Sequence, residues 1–167
     1  VRAALEVAGL DVRDLRAAHV DARGSTPYLA TLGDGGAAFV KVVSSEERSA
    51  DLLFRLYRAV RLEHVGDERP FSSLRRAVEH EPLVSLRASS LGVRAPPFLG
   101  LARIDDGSMV LAYDALDARS LDAVDDAELT DELLAAIWAQ VEKLLERRVA
   151  HRDLRLANVM LARDGSP

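Results

Sequence analysis

The chain of 167 residues contains no cysteine, and this absence excludes several kinds of chemistry. Disulfide bonds, thiolate nucleophiles and zinc sites with cysteine ligands cannot form in it. The sequence also has no apolar run long enough to span a bilayer, and its charged N-terminal segment does not resemble a signal peptide. We therefore expect a cytoplasmic location, either for the protein itself or for the cytoplasmic part of a membrane protein whose anchor lies outside this chain.

Lysine is scarce, and the net charge is negative. The chain has 22 Lys and Arg residues against 27 Asp and Glu residues, which gives a net charge of −5, and only Lys41 and Lys143 are lysines. Broad binding to nucleic acid or to an anionic membrane needs a basic surface, so this balance argues against both kinds of partner. With 49% hydrophobic and 29% charged residues, the composition is that of a folded domain or of two small lobes.

Hydrophobic patterning predicts strands in the first two thirds of the chain, with helices inserted among them. The tetrapeptide Gly33-Asp34-Gly35-Gly36 is a strong turn signal between two strands. Pro82 lies inside a helical pattern, where we expect a kink or a late start. In chain order, the predicted elements are a helix at 2–9, strand patterns at 15–32 (interrupted at 23–27) and at 37–43, helices at 46–62 and from Ser72 or Ser73 to about Gly92, and a hairpin with strands at 98–104 and 108–113.

The strongest helical pattern follows Thr130, which can cap it, and extends over 131–149. Its apolar residues recur at intervals of three and four, which predicts one apolar stripe along the helix. The stripe consists of Leu133, Leu134, Ile137, Trp138, Val141, Leu144 and Leu145. Strands with two inserted helices, followed by a connector and a further helix, indicate an α+β fold rather than alternating βαβ units.

This helix leads into His151-Arg152-Asp153-Leu154-Arg155-Leu156-Ala157-Asn158, a stretch that carries residues suited to phosphoryl transfer. The reaction needs a carboxylate to orient or deprotonate an acceptor hydroxyl, oxygen ligands for Mg²⁺, and positive charge on the transferred group. Asp153 can supply the carboxylate, Asn158 an amide oxygen, and Arg155 the charge. The alternative is a surface loop in which Asp153 is a turn residue. The long amphipathic helix before H-x-D-x-x-x-x-N favours the catalytic interpretation.

Four ordered segments resemble the protein-kinase-like fold. They are Phe39-Val40-Lys41-Val42, Val78-Glu79-His80-Glu81-Pro82-Leu83 with Gly92-Val93-Arg94-Ala95-Pro96, Val110-Leu111-Ala112-Tyr113-Asp114-Ala115, and the HRDLRLAN stretch. Within that fold the sequence is similar to the bacterial branch of aminoglycoside and choline phosphotransferases. More narrowly, it resembles the kinase-like domain of actinobacterial proteins that also carry a lysylphosphatidylglycerol-synthase-like or flippase-like membrane region.

The resemblance assigns roles to residues upstream of the catalytic loop. A lone lysine in an apolar strand must either extend to solvent or find a carboxylate, and the resemblance implies that Lys41 grips the nucleotide phosphates while Glu81, rather than Glu79, pairs with it. It further implies nucleotide contacts by a phosphate-binding turn, by the backbone edge of 111–115 and by an apolar side chain against adenine. These contacts are assigned to Gly24, Ser25 and Thr26, to Tyr113 and Ala115, and to Met160.

The resemblance also implies the organisation and the cofactors. We expect an N-terminal lobe at 1–112, a hinge at 113–119 and a partial C-terminal lobe at 120–167, with ATP and Mg²⁺ as cofactors and a hydroxyl acceptor that is a small molecule or a protein. In that fold a strand with a second metal-binding Asp follows the catalytic loop, and this chain stops before it. We therefore expect phosphotransferase activity in the full-length protein and little or none in this chain alone.

The sequence supports two further expectations. Helix 131–149 should expose apolar surface around Leu133, Ile137 and Leu144, and should self-associate through it unless a partner covers it. A thin phosphate-binding turn and Pro82 also keep two alternatives to the enzyme open. One is a pseudokinase or nucleotide-binding regulatory module of a larger protein, and the other is an interaction domain that binds no nucleotide.

Overall fold

The computed structural model describes residues 1–18, 25–44, 74–151 and 154–167 of the chain. The helix predicted at 46–62, its successor's proposed caps Ser72 and Ser73, and the site residues Gly24 and Asp153 lie outside the described residues. The chain divides into two compact units. The first comprises Val1–Pro82 and Phe98–Ala115, and the second comprises Leu83–Pro97 and Leu116–Pro167.

The first unit is built on a five-stranded antiparallel sheet that follows a short helix. The helix is α1 (Arg2–Val7), and the strands are β1 (Val12–Ala17), β2 (Thr26–Leu32), β3 (Ala37–Val43), β4 (Phe98–Arg103) and β5 (Met109–Asp114). Their order across the sheet is β1-β2-β3-β5-β4, with every neighbouring pair antiparallel. Strand β5, the last strand of this sheet in chain order, therefore lies inside the sheet, between β3 and β4.

Both predicted hairpins are confirmed, and local turn chemistry explains them. Between β2 and β3, Gly35 has a φ of +88°, and the carboxylate of Asp34 accepts a hydrogen bond from the amide of Gly36 at 2.8 Å. Between β4 and β5, Gly107 has a φ of +86°. Glycine adopts such positive φ values without the steric cost that a side chain brings. The α+β class with an N-terminal antiparallel sheet is likewise confirmed.

The two faces of the sheet bury different clusters because side chains alternate along each strand. On one face, Val40 of β3 and Ala112 of β5 pack with Leu5 of α1. On the opposite face, Leu111 and Tyr113 of β5 form a cluster with Val78 of α2 (Leu74–Ser90). Strand β3 contributes Phe39, Lys41 and Val43 to this second face by the same alternation. The second face therefore carries the only lysine of the sheet.

Helix α2 begins well before Pro82, so the late start that the sequence allowed does not occur. The helix is continuous from Leu74 to Ser90 with Pro82 inside it, and Pro82 is buried. Proline removes one backbone hydrogen bond from a helix interior, so packing of this part of the helix must offset the loss. Val78, four residues earlier and on the same side of the helix, is 4% exposed and supplies such packing.

The second unit combines a two-stranded sheet with the helix that follows Thr130. Strand β6 (Ala118–Ser120) pairs antiparallel with β7 (Met160–Ala162), and helix α3 spans Asp131–Glu146. The predicted cap is confirmed, since the Thr130 hydroxyl accepts a hydrogen bond from the Leu133 amide at 3.2 Å. Among the described residues, no helix combines the length and apolar character needed to cross a bilayer.

The apolar stripe of α3 is divided between a packed side and an exposed side, and the expected exposure around Leu133, Ile137 and Leu144 is wrong. Leu133 and Ile137 pack on the buried cluster of Leu121, Val124 and Leu161, and Leu144 is only 6% exposed. The neighbouring set is exposed instead, with Leu134 at 40%, Trp138 at 58% and Leu145 at 63%. Successive helical residues are rotated by about 100°, which separates the two sets. Self-association through this helix stays a prediction.

The adjacent residues Leu144 and Leu145 test this division directly. We expect Leu144→Ala to lower the free energy of unfolding by about 2–5 kcal/mol, because a buried leucine is replaced by a cavity. Leu145→Ala should change it by no more than about 0.5 kcal/mol, since its side chain is exposed. Urea denaturation followed by the fluorescence of Trp138, the only tryptophan, measures both. Equal destabilisation by the two substitutions would contradict the observed orientation of α3.

Candidate functional site

Lys41 and Glu81 form an ion pair on the α2 side of the sheet. Lys41 lies in the middle of β3, and Glu81 lies on α2 one turn after the buried Val78. Because residues three apart share one side of a helix, burial of Val78 directs Glu81 towards the sheet. The Lys41 Nζ atom donates a hydrogen bond to Glu81 Oε1 at 2.7 Å. The carboxylate that meets the strand lysine is therefore that of Glu81.

Tyr113 is the third member of this group. Its hydroxyl donates a hydrogen bond to Glu81 Oε1 at 3.1 Å, and its ring centroid lies 5.5 Å from Lys41 Nζ. Phe98 meets the same ring edge to face, at a centroid distance of 5.6 Å and an interplanar angle of 66°. We name Lys41, Glu81 and Tyr113 the lysine triad. One carboxylate oxygen thus accepts from both an ammonium and a phenol.

The surroundings of Tyr113 keep its hydroxyl protonated. Burial raises the pKa of Tyr113 far above its ordinary value of 10.0, and the negative charge of Glu81 and the hydrogen bond to it raise the pKa further. Both effects disfavour a phenolate, the first because a low-dielectric environment penalises charge and the second because like charges repel. The phenol is therefore a hydrogen-bond donor throughout the neutral and mildly alkaline range.

The ion pair itself is only partly shielded from water. The Lys41 side chain is 30% exposed and that of Glu81 is 46% exposed. Ion pairs with this degree of exposure contribute about 0–1 kcal/mol to stability, because water screens the charges and two long side chains lose freedom. The pair is thus of little use as a stabilising contact. What it provides is a cation next to solvent, where a negatively charged ligand can reach it.

The predicted phosphate turn adjoins the lysine in the sheet. Thr26 is the first residue of β2 and lies opposite Val42, while Pro27 lies opposite Lys41. Since residues directly opposite each other share a face, the Thr26 side chain lies on the face away from Lys41. Ser25 precedes the strand in a bend. The register therefore places the backbone of Thr26, rather than its hydroxyl, beside the lysine strand.

The pairing of β5 restricts the predicted adenine-binding edge at 111–115 to its last residues. Strand β5 is paired with β3 on one side and with β4 on the other, and the amide of Ala115 already donates to the Ala37 carbonyl at 3.0 Å. Pairing with β4 stops at the Phe98–Tyr113 pair. A ligand can therefore meet this backbone only from Asp114 onward and on the β4 side. Chain order alone does not reveal that β5 lies inside the sheet, between β3 and β4.

The described part of the predicted catalytic loop lies in the second unit. Leu156–Asn158 form a short 3₁₀ turn, in which the backbone N–H of Asn158 donates a hydrogen bond to the Arg155 carbonyl at 2.8 Å. Met160 then begins β7 and pairs with Ser120, while the Leu121 amide donates to the Val159 carbonyl at 2.8 Å. These bonds hold the segment after the loop on β6. Asn158 is exposed and lies two residues before the strand.

A cleft of about 770 Å³ opens beside β6 and β7 within the second unit. Each arginine in its lining is paired with a carboxylate. Arg119 Nη1 donates to Glu128 Oε1 at 2.9 Å and a second bond joins the same groups, and this pairing lowers the pKa of Glu128. Arg163 Nε lies 2.7 Å from Asp117 Oδ2. Paired charges of this kind do not indicate a particular ligand.

No protein-family model and no curated protein matches the sequence. The structure is similar to that of a kinase. A solved structure of vaccinia related kinase 3 matches it with a TM-score of 0.49 and 15% sequence identity, over 93% of this chain and 46% of that one. The likeness concerns the fold alone, and the chain spans less than half the length of that kinase structure.

Lys41 and Asn158 each carry a group of the chemical type that the resemblance assigns to them, an ammonium for phosphate oxygens and an amide oxygen for Mg²⁺. An ammonium has three N–H donors, and within the described part of the chain the Lys41 bond goes to Glu81, so the same ammonium can also serve phosphate oxygens. Asn158 offers an amide oxygen, a ligand type that Mg²⁺ accepts. Nowhere in the described ranges do three or more His, Asp or Glu side chains form a metal-binding cluster. Mg²⁺ sites completed by nucleotide phosphates do not need such a cluster.

The protonation of Tyr113 can be tested by alkaline titration of phenolate absorbance, taking the difference between the wild type and Tyr113→Phe. We expect Tyr113 to ionise well above pH 10.0, and Glu81→Gln to lower its pKa because one source of repulsion is removed. A folded-state pKa above the unfolded value means that this group stabilises the fold below the unfolded pKa. That contribution is lost as the pH rises through the folded pKa. Ionisation of Tyr113 at or below pH 10 in the folded chain contradicts the assigned environment.

Proposed function

We propose that the chain is a protein-kinase-like domain of an ATP-dependent phosphotransferase. The observation that carries this proposal is the 2.7 Å bond between a strand lysine and a helix glutamate in the lysine triad. The two residues are 40 positions apart in the sequence, so nearness in the chain does not explain their contact. The HRDLRLAN stretch, with an acid and an amide at kinase spacing, supports the same reading.

The proposed roles follow from what phosphoryl transfer requires. The acceptor oxygen forms a bond to the terminal phosphorus of ATP while the bond from that phosphorus to the bridging oxygen breaks, and catalysis consists mainly of positioning and charge stabilisation. Lys41 binds the nucleotide phosphates, and Glu81 fixes its ammonium. Asp153 orients the acceptor hydroxyl and takes its proton, and Arg155 offsets charge on the transferred group. Asn158 would hold Mg²⁺, which would neutralise phosphate charge.

The nucleotide base is assigned to backbone beyond the paired part of β5. Asp114 is the first residue past the end of the pairing with β4, and it replaces the edge at 111–115 as the proposed start of the adenine contact. Met160, half-buried at the start of β7, is proposed to pack on the base. Tyr113 is better assigned to the lysine triad than to the adenine.

Two features of the sequence support a particular branch of kinase-like proteins. The VEHEPL phrase and the short phosphate turn support the aminoglycoside and choline phosphotransferase branch, and within it the kinase-like domain of actinobacterial proteins with a lysylphosphatidylglycerol-synthase-like membrane region. We extend the proposal to a hydroxyl-bearing acceptor, a small molecule or a protein, and to a membrane region outside this chain. Arg152, before the catalytic acid, is the feature that supports a protein acceptor.

A nucleotide-binding module without transferase activity is the second candidate. The observation that favours it is the poor phosphate turn, which has a single glycine and whose Thr26 already lies in β2, on the face away from Lys41. Both candidates bind ATP through the lysine triad and differ in turnover. Release of ADP at a rate that depends on Asp153 favours the enzyme, whereas tight binding with no turnover in the longest form of the protein favours the binding module.

The two lysines provide a matched pair of substitutions for the nucleotide site. We expect Lys41→Met to weaken Mg-ATP binding by about tenfold to a hundredfold, because hydrogen bonds to charged groups are worth about 1.5–3 kcal/mol. Lys143→Met should leave the affinity unchanged, since Lys143 bonds the Gly92 carbonyl at 2.8 Å within the second unit. Isothermal titration calorimetry measures both. Absence of ATP binding by the wild type, or equal effects of the two substitutions, contradicts the proposal.

Removal of the metal tests Asn158 separately from Lys41. In the wild type, ATP should bind more tightly with Mg²⁺ than in the presence of EDTA. We expect Asn158→Ala to reduce this gain by about tenfold or more, the scale on which altered ligand surroundings weaken metal sites, and to leave the affinity in EDTA unchanged. Asn158→Asp keeps an oxygen ligand and should retain the gain. An unaltered Mg²⁺ effect in Asn158→Ala excludes this residue as the ligand.

A further inference from the structure

The lysine triad contains one member that the phosphotransferase roles above do not use. Lys41 and Glu81 are both partly exposed, and their long side chains can adopt many rotamers. An isolated pair of this kind is held weakly, because water competes for each partner. A site that needs the lysine ammonium at one place before the ligand arrives therefore requires a further, more rigid contact.

Tyr113 has the properties of such a contact. The residue is 6% exposed and lies in the internal strand β5, opposite both Phe39 and Phe98. Its ring makes the edge-to-face contact with Phe98, and an aromatic side chain has only two rotatable angles to fix. The hydroxyl is thus presented from a well-packed core rather than from a flexible surface chain.

The hydroxyl reaches the same oxygen that the lysine uses. Glu81 Oε1 accepts from Tyr113 at 3.1 Å and from Lys41 at 2.7 Å, while the Lys41 ammonium also lies 5.5 Å from the Tyr113 ring centroid. The face of an aromatic ring attracts a cation at such distances. One buried side chain therefore contacts both members of the ion pair, the carboxylate through its hydroxyl and the ammonium through its ring.

We propose that Tyr113 is a positioning residue that holds the Glu81 carboxylate, and through it the Lys41 ammonium, in the phosphate-binding arrangement before any nucleotide is present. This role rests on the nucleotide-binding function proposed above and replaces the adenine contact that the sequence suggested for Tyr113. A preorganised cation loses less side-chain freedom when the ligand binds, which increases affinity. Burial keeps the phenol protonated, so the donor persists across the physiological pH range.

The first experiment measures the lysine in the absence of nucleotide. With two lysines in the chain, ¹³C-lysine labelling gives one side-chain set for Lys41 and one for Lys143, and relaxation of the Cε nuclei reports their mobility. We expect Lys41 to be restricted in the wild type and mobile in Glu81→Ala. In Tyr113→Phe the mobility of the Lys41 side chain should rise most of the way to its level in Glu81→Ala. If Lys41 is as restricted in Tyr113→Phe as it is in the wild type, the proposal is overturned.

The control variants separate the effect of losing the Tyr113 hydroxyl from general effects of substitution on the fold. Tyr113→Phe keeps the ring, and with it the packing on Phe98 and the contact with the ammonium. Tyr28→Phe removes a hydroxyl from β2 of the same sheet, where Tyr28 packs on the opposite cluster, and should leave Lys41 unchanged. Lys143, which bonds the Gly92 carbonyl, should be equally mobile in every variant. A Tyr28→Phe variant that mobilises Lys41 as much as Tyr113→Phe also overturns the proposal.

The second experiment asks whether Tyr113 acts through Glu81. Tyr113→Phe should weaken Mg-ATP binding about threefold to tenfold, the scale of one ordinary hydrogen bond, because Tyr113 acts on the ligand only through Glu81 and Lys41. In a Glu81→Ala background the same substitution should weaken binding less than about twofold. Equal losses in both backgrounds show that Tyr113 acts on the ligand by another route and overturn the proposal. If Lys41→Met leaves ATP binding intact, the nucleotide function fails, while the mobility of Lys41 still decides what Tyr113 does.

Discussion

The candidate site in the first unit depends on the need of one lysine for a carboxylate. Lys41 lies in a strand whose neighbours on the same face are apolar, so its ammonium must reach water or meet an opposite charge. The structure provides both, because α2 lies over this face and presents Glu81 at its margin, where the pair remains accessible to solvent. The register of β3 decides which face the lysine occupies, and a shift by one residue would place it among the side chains packed on α1.

Local chemistry explains why much of this arrangement could be predicted from the sequence. The Gly33–Gly36 turn fixes the β2–β3 hairpin, and Thr130 defines the start of α3 through a side-chain cap. Both signals act within a few residues, where backbone geometry and hydrogen bonding depend on residue type. The pairing of Lys41 with Glu81 came instead from the resemblance to kinases, and the Nζ–Oε1 distance of 2.7 Å agrees with it. The catalytic acid, Asp153, is outside the described residues, so its role stays a prediction.

The errors concern relations between elements that are distant in the sequence. Chain order does not show that β5 inserts between β3 and β4, and this insertion removes the backbone of 111–113 from contact with a ligand. The pairing of β5 with β3 also places Leu111 opposite Lys41. Tyr113, two residues further along β5, therefore lies on the same face of the sheet as the lysine. The periodicity of α3 likewise defines one broad stripe, but only packing on Leu121 and Leu161 distinguishes its buried side from the exposed Trp138. Register and packing partners are tertiary properties that a single sequence does not specify locally.

Packing of helix α2 on the sheet also explains how Pro82 is tolerated next to Glu81. A proline inside a helix costs about 3 kcal/mol, because its ring obstructs the preceding turn and its nitrogen cannot donate a hydrogen bond. Here it directly follows Glu81, so the weakest point of α2 adjoins the residue that must be placed most accurately. Full burial of a valine contributes about 1.5–3 kcal/mol, and Val78 and Pro82 are both buried on either side of Glu81. Burial of this order can offset the proline, and the hydroxyl of Tyr113 then only has to orient a carboxylate that the helix has already brought to the sheet.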